Sequence, residues 1–173
     1  MKKQETNRLI LRNFTLEDYP DLYEFLSQRK DDEFEGYPGI TYENGVKHLK
    51  YRLDNDEFIA IELKENHKVI GNIYLGKRDF NSLELGYIVN KDYQLKGYAT
   101  EAASFLIKEA FNSDVHKVFA ECNPLNTCSF KFLESLGFVQ EGHLRMNVSF
   151  KNDSEGKPIY QDTLIYGLLS PKD

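Results

Sequence analysis

No stretch of this sequence is apolar for long enough to cross a bilayer, and the N-terminus, MKKQETNRLILRN, alternates polar and apolar residues without the hydrophobic run of a signal peptide. The expectation is a cytoplasmic protein with no membrane partner. Positive charge is also short: 22 Lys plus Arg face 28 Asp plus Glu, a formal charge of −6. That is the wrong sign for neutralising a phosphate backbone, so no nucleic-acid partner is expected and an amine-bearing one fits better. Cysteine is scarce. Cys122 and Cys128 have no CxxC spacing and no histidine near them in sequence, and His48, His67, His116 and His143 are scattered, so packing thiols and no metal are expected. GxGxxG and GxSxG are absent. The run GNIYLGKR at 71–78 follows the P-loop pattern as far as Lys77, then puts Arg78 where Ser or Thr should hold magnesium, and Ile70, Ile73 and Leu75 continue a strand pattern.

What is present is an alternation of strand and helix signals over 173 residues, a length that suits one domain, 1–173, with a sizeable core. RLILRNF reads as a strand. Thr15 and Asp18 mark a helix start blurred by Pro20, with Leu16, Tyr19, Tyr23 and Leu26 on one face. An acidic, turn-rich loop, RKDDEFEGYPG, leads to a second helix capped by Thr41. FIAIELK and VIGNIYLG flank a tight turn as a hairpin, and LELGYIV at 83–89 is the next strand. Ala99, Ala102, Ala103, Leu106 and Ala110 line one face of the helix after it. Strand VHKVFAEC, helix NTCSFKFLESL ending at Gly137, and a terminal pair of strands complete the chain. The class is α/β, and the β–helix–β unit over 83–122 requires a parallel crossover.

That crossover places QLKGYATEA at the carboxyl end of a strand and at the start of a helix. Such a turn can be a loop that needs Gly97 for its backbone freedom. It can equally be an anion site, because the first amides of a helix lack partners and sit at the positive end of the dipole.

The segments LELGYIVNKDYQLKGYATEA, NTCS and LESLGFVQEG, in this order, with RLILRNFTLED and DTLIYGLL at the two ends, resemble the GNAT superfamily of acetyl-CoA-dependent N-acetyltransferases, in particular its ribosomal-protein alanine N-acetyltransferase branch. The resemblance covers nearly the whole chain. It implies a single GNAT domain: a mixed, mostly antiparallel sheet of about seven strands, a splayed central parallel pair and about four helices. It further implies that acetyl-CoA is the co-substrate, its pyrophosphate held by Gln94, Leu95, Lys96, Gly97, Tyr98, Ala99 and Thr100, mainly through backbone amides. Ile88 and Val89 would bind the pantetheine arm through their backbone, with Asn126 reaching it from the next helix.

Three departures stand out: Leu95 replaces a glycine, Ile88 a tryptophan, and Leu133 occupies the position of a general-acid tyrosine. Ser129 resembles the branch's serine that protonates the thiolate, although an ordinary helix-surface serine fits the position as well. Glu84 resembles the family's base, often acting through water; a salt-bridged glutamate is the alternative. Tyr37 and Pro38, beyond the acidic residues Asp31, Asp32, Glu33 and Glu35, resemble the aromatic-proline pair of the acceptor side. The implied reaction is direct acetyl transfer to a neutral amine by a monomer or homodimer. An N-terminal protein acetyltransferase, a small-amine or antibiotic acetyltransferase and a non-catalytic acyl-CoA-binding module all remain compatible with the sequence.

Overall fold

The strand patterns assemble into one eight-stranded sheet in a computed structural model that describes residues 3–30, 32, 34 and 40–172. In chain order the elements are β1 (Gln4–Glu5), β2 (Leu9–Arg12), α1 (Tyr19–Ser27), α2 (Tyr42–Leu53), β3 (Phe58–Leu63), β4 (Val69–Arg78) and β5 (Ser82–Val89). They continue with α3 (Tyr98–Asn112), β6 (Lys117–Cys122), α4 (Thr127–Ser135), β7 (Val139–Asn152) and β8 (Pro158–Leu169). The strands lie in the order β1-β2-β3-β4-β5-β6-β8-β7, antiparallel except for the β5–β6 pair. The eighth strand, beyond the seven expected, is β1, whose two residues are too few to show an alternation. GNIYLGKR lies in β4, so the apparent P-loop is a strand.

Alternation along the strands divides the apolar residues between two faces. Leu9, Leu11, Ile61, Ile73, Leu85 and Val118 meet α3 and α4 on one face. Phe14, Ala60, Val69 and Ile88 meet α1 and α2 on the other. The expected core face of α1 is corrected: Leu22, Phe25 and Leu26 are buried, whereas Leu16 is exposed. Tyr19 and Tyr23 instead pack their rings on Tyr42 at the start of α2, at centroid distances of 4.8 and 5.2 Å. The helix starts rotated because Leu16–Asp18 form a 3-10 turn before Pro20 enters the first turn of α1. Thr41 caps α2 as expected, accepting the Asn44 amide.

The feature that makes a site is the parallel pair. β5 and β6 are in register only at Ser82–Lys117, Leu83–Val118 and Glu84–Phe119. Beyond Glu84 each strand keeps only its outer neighbour. β5 stays on β4 as far as Val89, and β6 stays on β8 as far as Cys122. The sheet therefore parts between residues 85–89 and 120–122.

Candidate active site

The parted strands open a cleft of about 630 Å³ whose walls include Leu85 to Val89 of β5, Ala120 and Glu121 of β6, and the start of α4. Its upper rim is the turn before α3. Gly97, at φ 78°, takes the left-handed conformation that glycine adopts without strain. The first intrahelical bond of α3 runs from the Glu101 amide to the Gly97 carbonyl, so the amides of Tyr98, Ala99 and Thr100 have no partner within the helix. Among the residues expected to hold coenzyme A, Ile88, Val89, Gln94, Leu95, Gly97, Tyr98, Ala99, Thr100 and Asn126 line this cleft together with Ser129. Lys96 does not; its ammonium bonds the Asp92 carbonyl and lies over the Tyr93 ring. Tyr37 and Pro38, with Asp31, Glu33 and Glu35, lie outside the described residues, while Asp32 pairs with Arg29 on the cleft wall.

Side chains brace this rim rather than project from it. Gln94 donates to the Val89 carbonyl at 3.0 Å and ties the turn to the end of β5. Arg8, unforeseen in the sequence, donates through Nε to Glu101 at 2.6 Å and through Nη1 to the Lys96 carbonyl at 3.0 Å, with its guanidinium carbon 4.3 Å from the centroid of the Tyr98 ring. Burial works against the charge on Glu101, but hydrogen bonds from Thr6 and Arg8 outweigh it and hold the carboxyl below its usual range. Leu95 also stands in the left-handed region, at φ 58°, with its side chain fully exposed. Glycine would be unstrained at that position.

The ladder between β4 and β5 decides which amides face the cleft. The Asn90 amide donates to the Ile70 carbonyl on β4, and the Ile88 carbonyl also points toward β4, where it would collide with any side chain placed at Gly71. Because hydrogen-bonding direction alternates along an antiparallel strand, Ile88 spends its backbone groups on β4. Tyr87 and Val89 turn theirs to the cleft, consistent with Gln94 reaching the Val89 carbonyl. The Ile88 backbone, expected to hold the pantetheine arm, is therefore turned away from the cleft, whereas that of Val89, and of Tyr87, is turned toward it.

Asn126 caps α4 by accepting the Ser129 amide at 3.1 Å. The Ser129 hydroxyl accepts from the Tyr87 phenol at 2.9 Å, and Tyr87 packs on Phe132. Thus β5 and α4 share a pair of hydroxyls at the cleft wall. Cys122 is buried, as a packing thiol should be, whereas Cys128 is exposed and lines the cleft.

On the opposite face of the sheet, Glu84 is held by Arg78, which also donates to the Tyr74 hydroxyl, and Glu84 does not line the cleft. Glu121 does. It shares the face of Glu84, since Val118, Ala120 and Cys122 point into the α3–α4 core. Burial, and then the negative charge of Glu84, push the Glu121 carboxyl up, with Arg78 pulling the other way. The sequence signal for Glu121 is the same as for Glu84, an acid alternating with apolar residues on a central strand. The splay singles it out.

The acetyltransferase (GNAT) domain model matches residues 8–139. Among curated relatives, an uncharacterized N-acetyltransferase of Bacillus subtilis (strain 168), YnaD, is 29% identical over 86% of this chain and 89% of its own. The N-acetyltransferase p20 of Bacillus licheniformis is 32% identical over 84% and 86%, respectively. A GNAT-family acetyltransferase from Bacillus anthracis superposes with a TM-score of 0.86 at 24% identity, covering 97% of this chain and 98% of that one. A ribosomal L7/L12 α-N-protein acetyltransferase, RimL, in complex with coenzyme A gives 0.80 at 16% identity over 97% of both chains. With a family match spanning most of its length and a sheet parted where that family parts it, the chain belongs to the GNAT acetyltransferases and is an N-acetyltransferase.

Proposed function

We propose that the protein transfers an acetyl group from acetyl-CoA directly to a primary amine, the N-terminal α-amine of a protein or peptide, as in the ribosomal-protein acetyltransferase branch. The observation that carries this reading is the cleft itself, in which a left-handed turn opening a helix, strand amides turned toward the split and a carboxylate of raised pKa converge. The left-handed Gly97 and the free amides of Tyr98, Ala99 and Thr100 suit a pyrophosphate. Acetyl-CoA supplies an activated thioester acyl group.

The residues of the chain would do the rest. The Tyr87 and Val89 amides face the position where negative charge develops on the carbonyl oxygen. Glu121 accepts the amine proton as the C–N bond forms, and Glu84, fixed by Arg78, keeps the Glu121 carboxylate basic. Ser129, hydrogen-bonded to Tyr87, gives a proton to the thiolate released when the C–S bond breaks. An α-amine suits this chemistry because at about pH 7.4 roughly a quarter of it is neutral, against about one part in a thousand of a lysine side chain.

The two carboxylates on one face, Glu84 and Glu121, favour a polycation as the second reading, a polyamine or an aminoglycoside. A panel of N-terminal peptides, polyamines and aminoglycosides, read by thiol release, separates the two. Faster turnover of any small polyamine than of every peptide would overturn the first.

A further inference from the structure

Resting on the peptide-acceptor reading, and narrowing it, we propose that the recess beside α2 binds a carboxylate of the acceptor, at its fourth or fifth residue counted from the reacting amine.

The recess has a volume of about 370 Å³ and is lined by Lys47, His48, Tyr51, Arg52 and Phe58. Arg52 is only 2% exposed. Its Nε and Nη2 each stand 3.4 Å from the one Asn72 side-chain oxygen, and its Nη1 is 3.2 Å from the His48 carbonyl of its own helix. All three acceptors are uncharged, and three bonds satisfy three of about five guanidinium N–H groups. The other buried charges behave differently: Asp18 and Glu62 both pair with Arg12. Among the described residues Arg52 has no carboxylate partner, although a buried charge without a counter-charge is costly. The Phe58 ring, 4.7 Å from the guanidinium carbon, holds the group in place. Among the described residues no acidic one lines the recess, and Lys47 adds an exposed cation at its edge. Burial, followed by the charge of Arg52, holds the His48 imidazole below its usual range, so it is neutral at physiological pH.

The place of the recess in the sheet ties it to the acceptor. Phe58 is in register with Tyr74, and Tyr74 with Gly86. Glu84 is in register with Phe119, which sets Gly86 level with Glu121 across the split. The four positions form one row on one face of the sheet. Two strand-to-strand steps and the wider gap across the split make it at least about 14 Å long. Gly86 adds no side chain of its own to the row, whose middle is floored by the Tyr74 side chain beside it. An extended peptide advances about 3.3 Å per residue. With its amine at Glu121, it brings the side chain of residue four or five to Arg52 and Lys47. A polyamine laid along the same row would meet like charge there.

The test is a set of neutral N-terminal peptides in which a single glutamate is walked from position 2 to position 7, with KM and kcat measured by thiol release. KM is expected to fall about tenfold for glutamate at position 4 or 5, with kcat little changed. Arg52→Gln and, at the exposed edge where folding is not at stake, Lys47→Glu are each expected to flatten that profile. A flat wild-type profile with every peptide acetylated overturns this inference alone. So does a minimum that survives Lys47→Glu. Failure to acetylate any peptide overturns the peptide reading as well.

Discussion

On the rim that would receive the coenzyme, side chains are committed to holding backbone: Arg8 grips Glu101 and the Lys96 carbonyl, Gln94 grips the Val89 carbonyl, and Asn126 grips the Ser129 amide. On the face that would take the acceptor the arrangement is reversed, and the carboxylates of Glu84 and Glu121 stand on a regular strand framework. One side would bind through main-chain geometry and the other would react through ionisable groups. Substitutions on the first should therefore act on affinity, and those on the second on turnover and its pH dependence.

The strongest contrast is expected at Glu121. Glu121→Gln should lower kcat by about 10²–10⁴, the usual contribution of a positioned base, with acetyl-CoA affinity nearly intact. Glu84→Gln should cost less than about tenfold. The raised pKa of Glu121 fixes the sign of the pH effect. A base works only when ionised, so activity should fall with decreasing pH through a midpoint above the ordinary glutamate value. Glu84→Gln removes a like charge and should move that midpoint down. Pre-steady-state rates across pH would show it, and if Glu84→Gln proves the more damaging variant, the two roles are exchanged.

Gly97→Glu should raise the dissociation constant for acetyl-CoA by at least about 100-fold in calorimetry, because it adds bulk and negative charge at the turn proposed to hold the pyrophosphate. Gly97→Ala brings the left-handed strain alone, about 1–2 kcal/mol, and should do much less. Equal affinity in the glutamate variant and the wild type would make the turn merely structural.

Arg8→Gln belongs to the bracing class. Its ion pair with Glu101 is partly exposed, so only a few-fold rise in the KM for acetyl-CoA is expected, with kcat held. A matching fall in kcat would place Arg8 nearer the chemistry than its contacts suggest. The smallest effect is reserved for Leu95→Gly, which should raise the melting temperature by a few degrees, since about 1 kcal/mol of left-handed strain is relieved against some added chain entropy.

The same contrast explains what could be read in the sequence. The QLKG turn, the Thr41 cap and the long strands announce themselves through local rules of glycine, capping and alternation, and they lie where expected. Ile88 shows the limit, because the direction of an amide depends on register with β4, which no single strand encodes. Glu121 and Glu84 carry the same alternation signal, and only the loss of pairing beyond Glu84 separates the one that reaches the cleft. Arg8 acts from a strand remote in sequence, bonding across 93 residues to Glu101. Leu16 joined a plausible helical face that a preceding 3-10 turn rotated out of the core.

Among the described residues, the three register pairs between β5 and β6 are the only ladder joining two blocks of sheet, β1 to β5 and β6 with β8 and β7. A ligand lying in the split above them would act as mortar in a short seam. Stabilisation by binding grows as the logarithm of ligand concentration over its dissociation constant, so acetyl-CoA at 100 times that constant would add about 2.7 kcal/mol. Hydrogen exchange should report this most clearly at Leu83 and Phe119, whose amides the alternation turns from β4 and β8 into the seam, and which would open with it in the free protein and slow together once the coenzyme is bound.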